Sequence, residues 1–251
     1  MGDDPLTMDD LRSDIRSSLG RNLTHGMLDA LGRAIVTGEF SGKVFPTEAD
    51  LAKHYAVSRS VTREAVKMLT AKGLLSARPR QGTIVQPEGS WNLFDSDVLR
   101  WLLERKFSIG LLRQFSELRV SIEPAAAELA ARTATPERLA LIDAGYRRMV
   151  AAEAGKDDTL DADIAFHVAV LEASGNPFYG QFRDVVETAL RTSIRFTNRF
   201  KGRTASLPAH KSVKDAIEAH DSAGAHTAMS LIIREVMLLI AEAERQGAVE
   251  G

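Results

Sequence analysis

No cysteine occurs among the 251 residues of the chain. Disulfides and thiolate metal sites are therefore excluded, and the composition suits a cytoplasmic setting. No apolar run approaches the roughly 18 residues of a membrane-spanning helix. The opening stretch MGDDPLTMDDLRSD is acidic and lacks the basic and apolar regions of a signal peptide. There is no internal repeat and no low-complexity tract. What remains is 44% hydrophobic and 26% charged, ordinary for a globular soluble protein. The net charge of -2 hides an uneven distribution. Residues 1–19 carry two basic and five acidic side chains, and residues 20–87 carry ten basic and five acidic. Residues 88–251 carry twenty basic and twenty-four acidic. A basic segment within an acidic chain suggests a polyanion-binding module joined to something else.

Periodicity divides the chain further. Met27, Leu28, Leu31 and Ile35 recur at helical spacing, and Gly38 ends that helix. In FPTEADLAKHYA, Pro46 suits a first helical position, and Leu51, Ala52 and Tyr55 form a short apolar stripe. A third helix opens with Ser58 as N-cap and ends at Gly73. LLSARPRQGTIVQP then reads as two short strands about a turn at Arg80-Gln81-Gly82. Three helices and a hairpin make a winged helix-turn-helix over 21–87. Residues 1–20 form an acidic tail for which disorder is one reading, and 88–107 read as a linker and connecting helix. From 108 to 247 no convincing strand occurs. Helices are expected near 108–133, 136–154, 158–174, 177–202, 206–221 and 224–246, an all-α bundle. The fold class is mainly α.

The first candidate chemistry is nucleic-acid reading. In a helix-turn-helix the second helix of the motif enters the major groove and its N-terminal residues reach base edges. Ser58, Arg59, Ser60, Thr62 and Arg63 occupy that position. A guanidinium matches the O6 and N7 of guanine, and hydroxyls suit phosphate. Arg78, Arg80, Gln81 and Gly82 form the wing tip, placed to follow the backbone or enter the minor groove. Taken singly, Arg59 and Arg63 read equally as solvated helix charges. Helix, turn, helix, basic tip and local charge in that order favour duplex DNA.

The stretch FPTEADLAKHYAVSRSVTREAVKMLTAKGLLSARPRQGTIV resembles the N-terminal domain of the GntR family of bacterial transcription regulators. The resemblance rests on Pro46, Glu48, Leu51, Ala52, Val57-Ser58-Arg59, Arg63-Glu64-Ala65, Leu69, Gly73-Leu74 and Gly82-Thr83. Thr62 and Val66 stand where a small apolar residue and a leucine are common. The resemblance implies that Ser58, Arg59, Ser60, Arg63 and Gly82 contact DNA.

The second candidate chemistry lies in the bundle. Asp163 and His167 are four residues apart on a helix that Ile164, Phe166, Val168 and Leu171 put largely against a core, so both can reach one cation. An ordinary i,i+4 surface pair is the plainer alternative. His210 opens a later helix, Arg119 lies among Val120, Ile122 and Ala125, and Arg191, Arg195 and Arg199 form a stripe. Arg119 reads either as half of a buried ion pair or as a ligand clamp. Asn176 reads either as a helix cap or as a ligand contact.

ELRVSIEPAAAELAA at 117–131, Asp163 with Phe166-His167, ASGNP at 173–177 and Ala209-His210 with Asp215-Ala216-Ile217 resemble the FCD ligand-binding domain of the FadR subgroup. That resemblance implies a divalent, zinc-like metal held by Asp163, His167 and His210. It implies a small carboxylate effector met by Arg119. From their own positions, Arg191, Arg195 and Asn176 are further candidate contacts, with the rest of the arginine stripe read as solvated. The expected fourth histidine is replaced by Ile232. Trp91–Glu104 resembles one branch of the subgroup, which points to a sugar acid, an aldonate or hexuronate. The expectation is a homodimeric repressor on a palindromic operator, released by such an acid, with no membrane partner and no catalysis. Two alternatives stand beside it: a metal-dependent hydrolase fused to a DNA-binding domain, and an effector-independent DNA-binding protein.

Overall fold

The computed structural model describes residues 23–78, 82–106, 108–200 and 206–245, with the side chains of 194–200 outside that description. The acidic tail and the turn residues Arg80 and Gln81 also lie outside it. The chain forms two compact units, Met1–Lys106 and Phe107–Gly251.

In the first unit, α1 (Leu23–Val36) buries Met27, Leu28, Leu31, Ala34 and Ile35. α2 (Glu48–Tyr55) starts from a capping box in which Thr47 and Asp50 satisfy each other's backbone amides. Pro46 therefore precedes the N-cap and does not occupy the first helical position. Ala56, in the left-handed region with φ 53°, closes α2 and turns the chain. α3 (Arg59–Ala71) follows at once, capped by Ser58, whose hydroxyl accepts from the Val61 amide at 3.2 Å. β1 (Leu75–Arg78) and β2 (Gly82–Val85) pair antiparallel, with Leu75 opposite Val85 and Arg78 opposite Gly82.

The stretch expected as a linker and connecting helix contains α4 (Ser96–Leu102), and this helix packs on α1. Trp101 is fully buried and its indole N–H donates to Asp29 at 2.8 Å. Gly32 makes this possible, since a Cβ there would stand 2.2 Å from the indole ring. Lys72 at the end of α3 reaches Asp95 at 2.7 Å and Asp97 at 2.9 Å. Gly73, at φ 78°, admits the Ser90 carbonyl where a Cβ would clash at 2.2 Å.

The second unit is an all-α bundle: α5 (Ile109–Thr133), α6 (Pro136–Glu153), α7 (Thr159–Ala173), α8 (Pro177–Gly180), α9 (Arg183–Phe200), α10 (Leu207–Glu218) and α11 (Ser222–Arg245). Its main core joins Ala127, Ala130, Ala131, Ala162, Ala169 and Ala173 to larger residues such as Phe166, Met149, Ile217 and Met229. Alanines at the contacts let helix axes approach while larger side chains fill the gaps. The mainly helical class with a two-stranded wing is thus borne out. Two helix boundaries differ from expectation. The 177–202 helix is divided into α8 and α9 after Gly180, where Tyr179 and Phe182 pack on the cluster of Ile122, Ile164, Leu171 and Val186. The final break falls at His220, φ 58°, and not at Gly224, because Asp221 accepts from the Gly224 amide and caps α11. Although no uninterrupted apolar run occurs, α11 with its few charges is long and apolar enough to cross a membrane by length and composition. It packs in the bundle through Met229, Ser230, Ile233, Ile240 and Ala243.

Candidate functional site

On α3, burial sorts the side chains by face. Thr62, Ala65, Val66 and Leu69 point inward. Arg59, Ser60 and Arg63 are exposed. Thr62, expected from sequence among the DNA contacts, is fully buried, and its hydroxyl donates back to the Ser58 carbonyl at 3.3 Å. Its place on the helix repeats that of Ala65, Val66 and Leu69, so its side chain faces the core. Arg63 Nε lies 3.5 Å from Glu48 Oε2, so a carboxylate on α2 holds a guanidinium on α3. Both are largely solvated, and such a pair contributes little to stability. It does bias where the arginine points. Glu48 belonged to the sequence motif, but its contact with Arg63 depends on the angle of the turn between the helices. Gly82, at φ 79° and exposed, begins β2 opposite the exposed Arg78.

The bundle holds a polar centre of the opposite kind. Arg119 and Glu123 on α5 and His167 on α7 are each almost completely buried. Arg119 forms a forked salt bridge with Glu123, as the ion-pair alternative anticipated. Arg119 Nη2 also stands 3.4 Å from His167 Nδ1, but the Glu123 carboxylate is much closer to that nitrogen. Burial alone would raise the Glu123 pKa; the charge of Arg119 and the hydrogen bonds from His167 and Arg119 outweigh it and hold the group at about 2. Glu123 is thus a carboxylate that accepts, which makes His167 Nδ1 the protonated nitrogen and leaves a lone pair on Nε2. His210 on α10 is fixed in the same tautomer, because its Nδ1 lies 2.8 Å from the Ser206 carbonyl.

The two lone-pair nitrogens face each other at 3.3 Å. Asp163 Oδ1 joins them, 3.1 Å from His210 Nε2 and 3.7 Å from His167 Nε2. That oxygen is sealed from water and accepts no hydrogen bond. Three acceptor atoms converging without a proton between them is unfavourable unless a cation sits among them. Ligand atoms of a tetrahedral zinc site with bonds of ~2.0–2.2 Å are separated by about 3.3–3.5 Å. The three observed separations bracket that value, so the residues fit a divalent ion. Among the described residues this is the one His/Cys/Asp/Glu group so arranged.

The other residues singled out from sequence lie elsewhere in the bundle. Ile232 is half-buried against the main core. Asn176 caps α8, with Oδ1 accepting from the Phe178 amide at 3.0 Å. Arg191 pairs with Glu187 at 2.9 Å and Asp161 at 3.2 Å. The side chain of Arg195 lies outside the described residues. Glu123 was the residue sequence reasoning passed over. Its signal was a carboxylate four residues after Arg119 on an apolar helix face.

Comparison with known proteins maps onto these two units. The bacterial regulatory proteins of the gntR family match residues 23–85, and the FCD domain matches residues 114–235. The galactonate operon transcriptional repressor of Escherichia coli K12 is 34% identical, covering 84% of this chain and 94% of its own. An uncharacterized HTH-type transcriptional regulator of the same organism, YieP, is 32% identical, covering 85% and 94%. Among solved structures, Lar, which controls expression of the Listeria monocytogenes agr system, aligns at TM-score 0.56 over 88% of this chain and 98% of that one. At 20% identity that likeness shows the fold alone. These families and relatives are transcription regulators and not enzymes, which removes the hydrolase alternative. With both matches falling on the units described, the chain belongs to the gntR family of bacterial regulatory proteins, as a transcription regulator whose second domain is of the FCD type.

Proposed function

We propose that the chain is a repressor that binds a palindromic operator as a cytoplasmic homodimer and is released by a small carboxylate. Arg59 and Arg63 would read bases, Ser58 and Ser60 would meet phosphate, and Arg80, Gln81 and Gly82 would follow the backbone from the wing. Thr62 is assigned to the core that holds α3 in place. Asp163, His167 and His210 would hold a divalent ion, which supplies a positive centre for a carboxylate oxygen. The observation that carries this reading is the convergence of three proton-free acceptor atoms beside a buried guanidinium.

Arg119 is bound to Glu123, so an entering carboxylate would compete for or share that guanidinium. Arg191 and Arg195 remain further candidate contacts for it, and the engagement of Asn176 as a cap favours its structural role. The galactonate operon repressor is named for an aldonate, and a polyhydroxy acid suits a cation, an arginine and several hydrogen-bonding groups. Effector and operator would each favour a different conformation, with about 1–3 kcal/mol of coupling between them. Elemental analysis of protein purified without added ions tests the ion site. One divalent ion per chain is expected, with a strong loss in Asp163→Ala. An equal background in both proteins would remove the site.

A further inference from the structure

α11 presents more apolar surface than its own bundle covers. Only 28% of its most apolar stretch is buried. Leu231 is 57% exposed and Leu238 is 70% exposed. These two leucines lie seven residues apart, with Arg234 and Glu235 between them, and the spacing places all four on one face. Arg234 and Glu235 are both exposed, and neither has an ion-pair partner among the described residues. The face therefore combines two apolar anchors with two uncompensated opposite charges.

Its order is chemically palindromic. On the exposed face, read outward from the Arg234–Glu235 bond, Arg stands against Glu and Leu231 against Leu238, whereas Ile232, Ile233, Val236 and Met237 pack on the chain's own bundle. A surface of this kind is complementary to itself under a two-fold rotation. If two copies cross antiparallel at that bond, Leu231 of one meets Leu238 of the other. Arg234 of each then meets Glu235 of the other, twice over. An isologous interface requires such self-complementarity, because residue i contacts j and j contacts i. A lipid surface would gain nothing from the central charge pair, and burying it in a hydrocarbon phase would be costly.

We infer that this face of α11 is a homodimer interface, with a second copy of the chain crossing antiparallel at Arg234 and Glu235. The inference rests on the dimeric reading above and names the surface that reading requires. Each charge would find its partner only in the assembled pair, so the interface also fixes the register of the two bundles.

Sedimentation of the full chain tests it. The wild type should sediment at twice the 27.4 kDa of one chain. Leu238→Glu should sediment as the single chain with its helical circular dichroism unchanged. Arg234→Glu places like charges opposite each other at two points, as does Glu235→Arg, and each should weaken dimerisation about tenfold or more. The double variant restores opposite charges and should recover the wild-type dimer. Because both charges are exposed, this swap remains decisive even if Leu238→Glu loses helical structure. A dimeric wild type whose variants all stay dimeric would overturn the interface and leave the dimeric reading standing. A wild type that is monomeric both free and on operator DNA would overturn both. Flotation of the wild type with phosphatidylglycerol vesicles, lost in Leu238→Glu, would assign the face to lipid and overturn the inference.

Discussion

Arg59 and Arg63 stand in solvent on the opening turns of α3, whereas Arg119, Glu123 and His167 are sealed inside the bundle. Solvated charges add little to folding stability, so the exposed pair can be arranged for an external polyanion with few structural demands. Sealed charges must be complemented by neighbours or they unfold the domain. The same residue type therefore plays two roles. Outside, its partner can be a macromolecule that arrives later. Inside, its partner is already built into the chain, and only what those partners leave unsatisfied is open to a small ligand.

That contrast is broken most severely by Glu123→Ala. The change leaves Arg119 buried without its carboxylate and His167 without the acceptor that sets its tautomer. A loss of about 3–5 kcal/mol is expected in urea denaturation followed by circular dichroism. A loss below about 1 kcal/mol would show that the pair is hydrated and the centre loosely held.

The same contrast explains what the sequence discloses. The N-terminal unit was readable because its determinants are local: the Ser58 cap, the inward positions Ala65, Val66 and Leu69, and a hairpin turn containing Gly82. Asp163 and His167 were readable because four residues on a helix share a face. Glu123 was not singled out, since its importance comes from contact with His167, which lies on another helix 44 positions later. Thr62 was placed with the DNA contacts because a threonine among arginines looks polar, whereas the helix phase turns it to the core. α4 was expected as a connecting helix, but its packing on α1 was not legible, because the indole of Trp101 needs Gly32 and Asp29, both far away in sequence. The division between α8 and α9 follows Gly180, a single weak helix former that the sequence reading ran through because no proline reinforces it.

A second way to sharpen the comparison uses the exposed side. Arg63→Ala should leave folding stability within about 0.5 kcal/mol of wild type. It should weaken operator binding by about 1–3 kcal/mol and relax preference at one base pair. An equal loss on every duplex, measured by fluorescence anisotropy, would make Arg63 a phosphate contact.

The smallest effect concerns partly buried charge. Burial raises the Asp29 pKa, but the hydrogen bonds from Trp101 and Arg100 and the charges of Arg100 and Arg33 more than offset this and hold it below the ordinary carboxylate value. A carboxyl depressed in the folded state contributes stability above its unfolded pKa of about 3.9 and loses it as pH falls through the folded value. Trp101 emission, measured in a Trp91→Phe background, should hold steady from pH 8 to pH 5 and shift to the red below about pH 4 as α4 loosens from α1. A shift already present near pH 6 would mean that a group other than Asp29 controls this contact.

Operator release measured with and without divalent ions, across a panel of sugar acids, tests most directly whether the sealed centre governs the exposed one. The account predicts that at least one acid frees the wild-type chain from its operator. Asp163→Ala should bind the same operator with unchanged affinity and ignore that acid. Release of the variant at the same acid concentration as the wild type would contradict the account, as would a wild type that no acid releases.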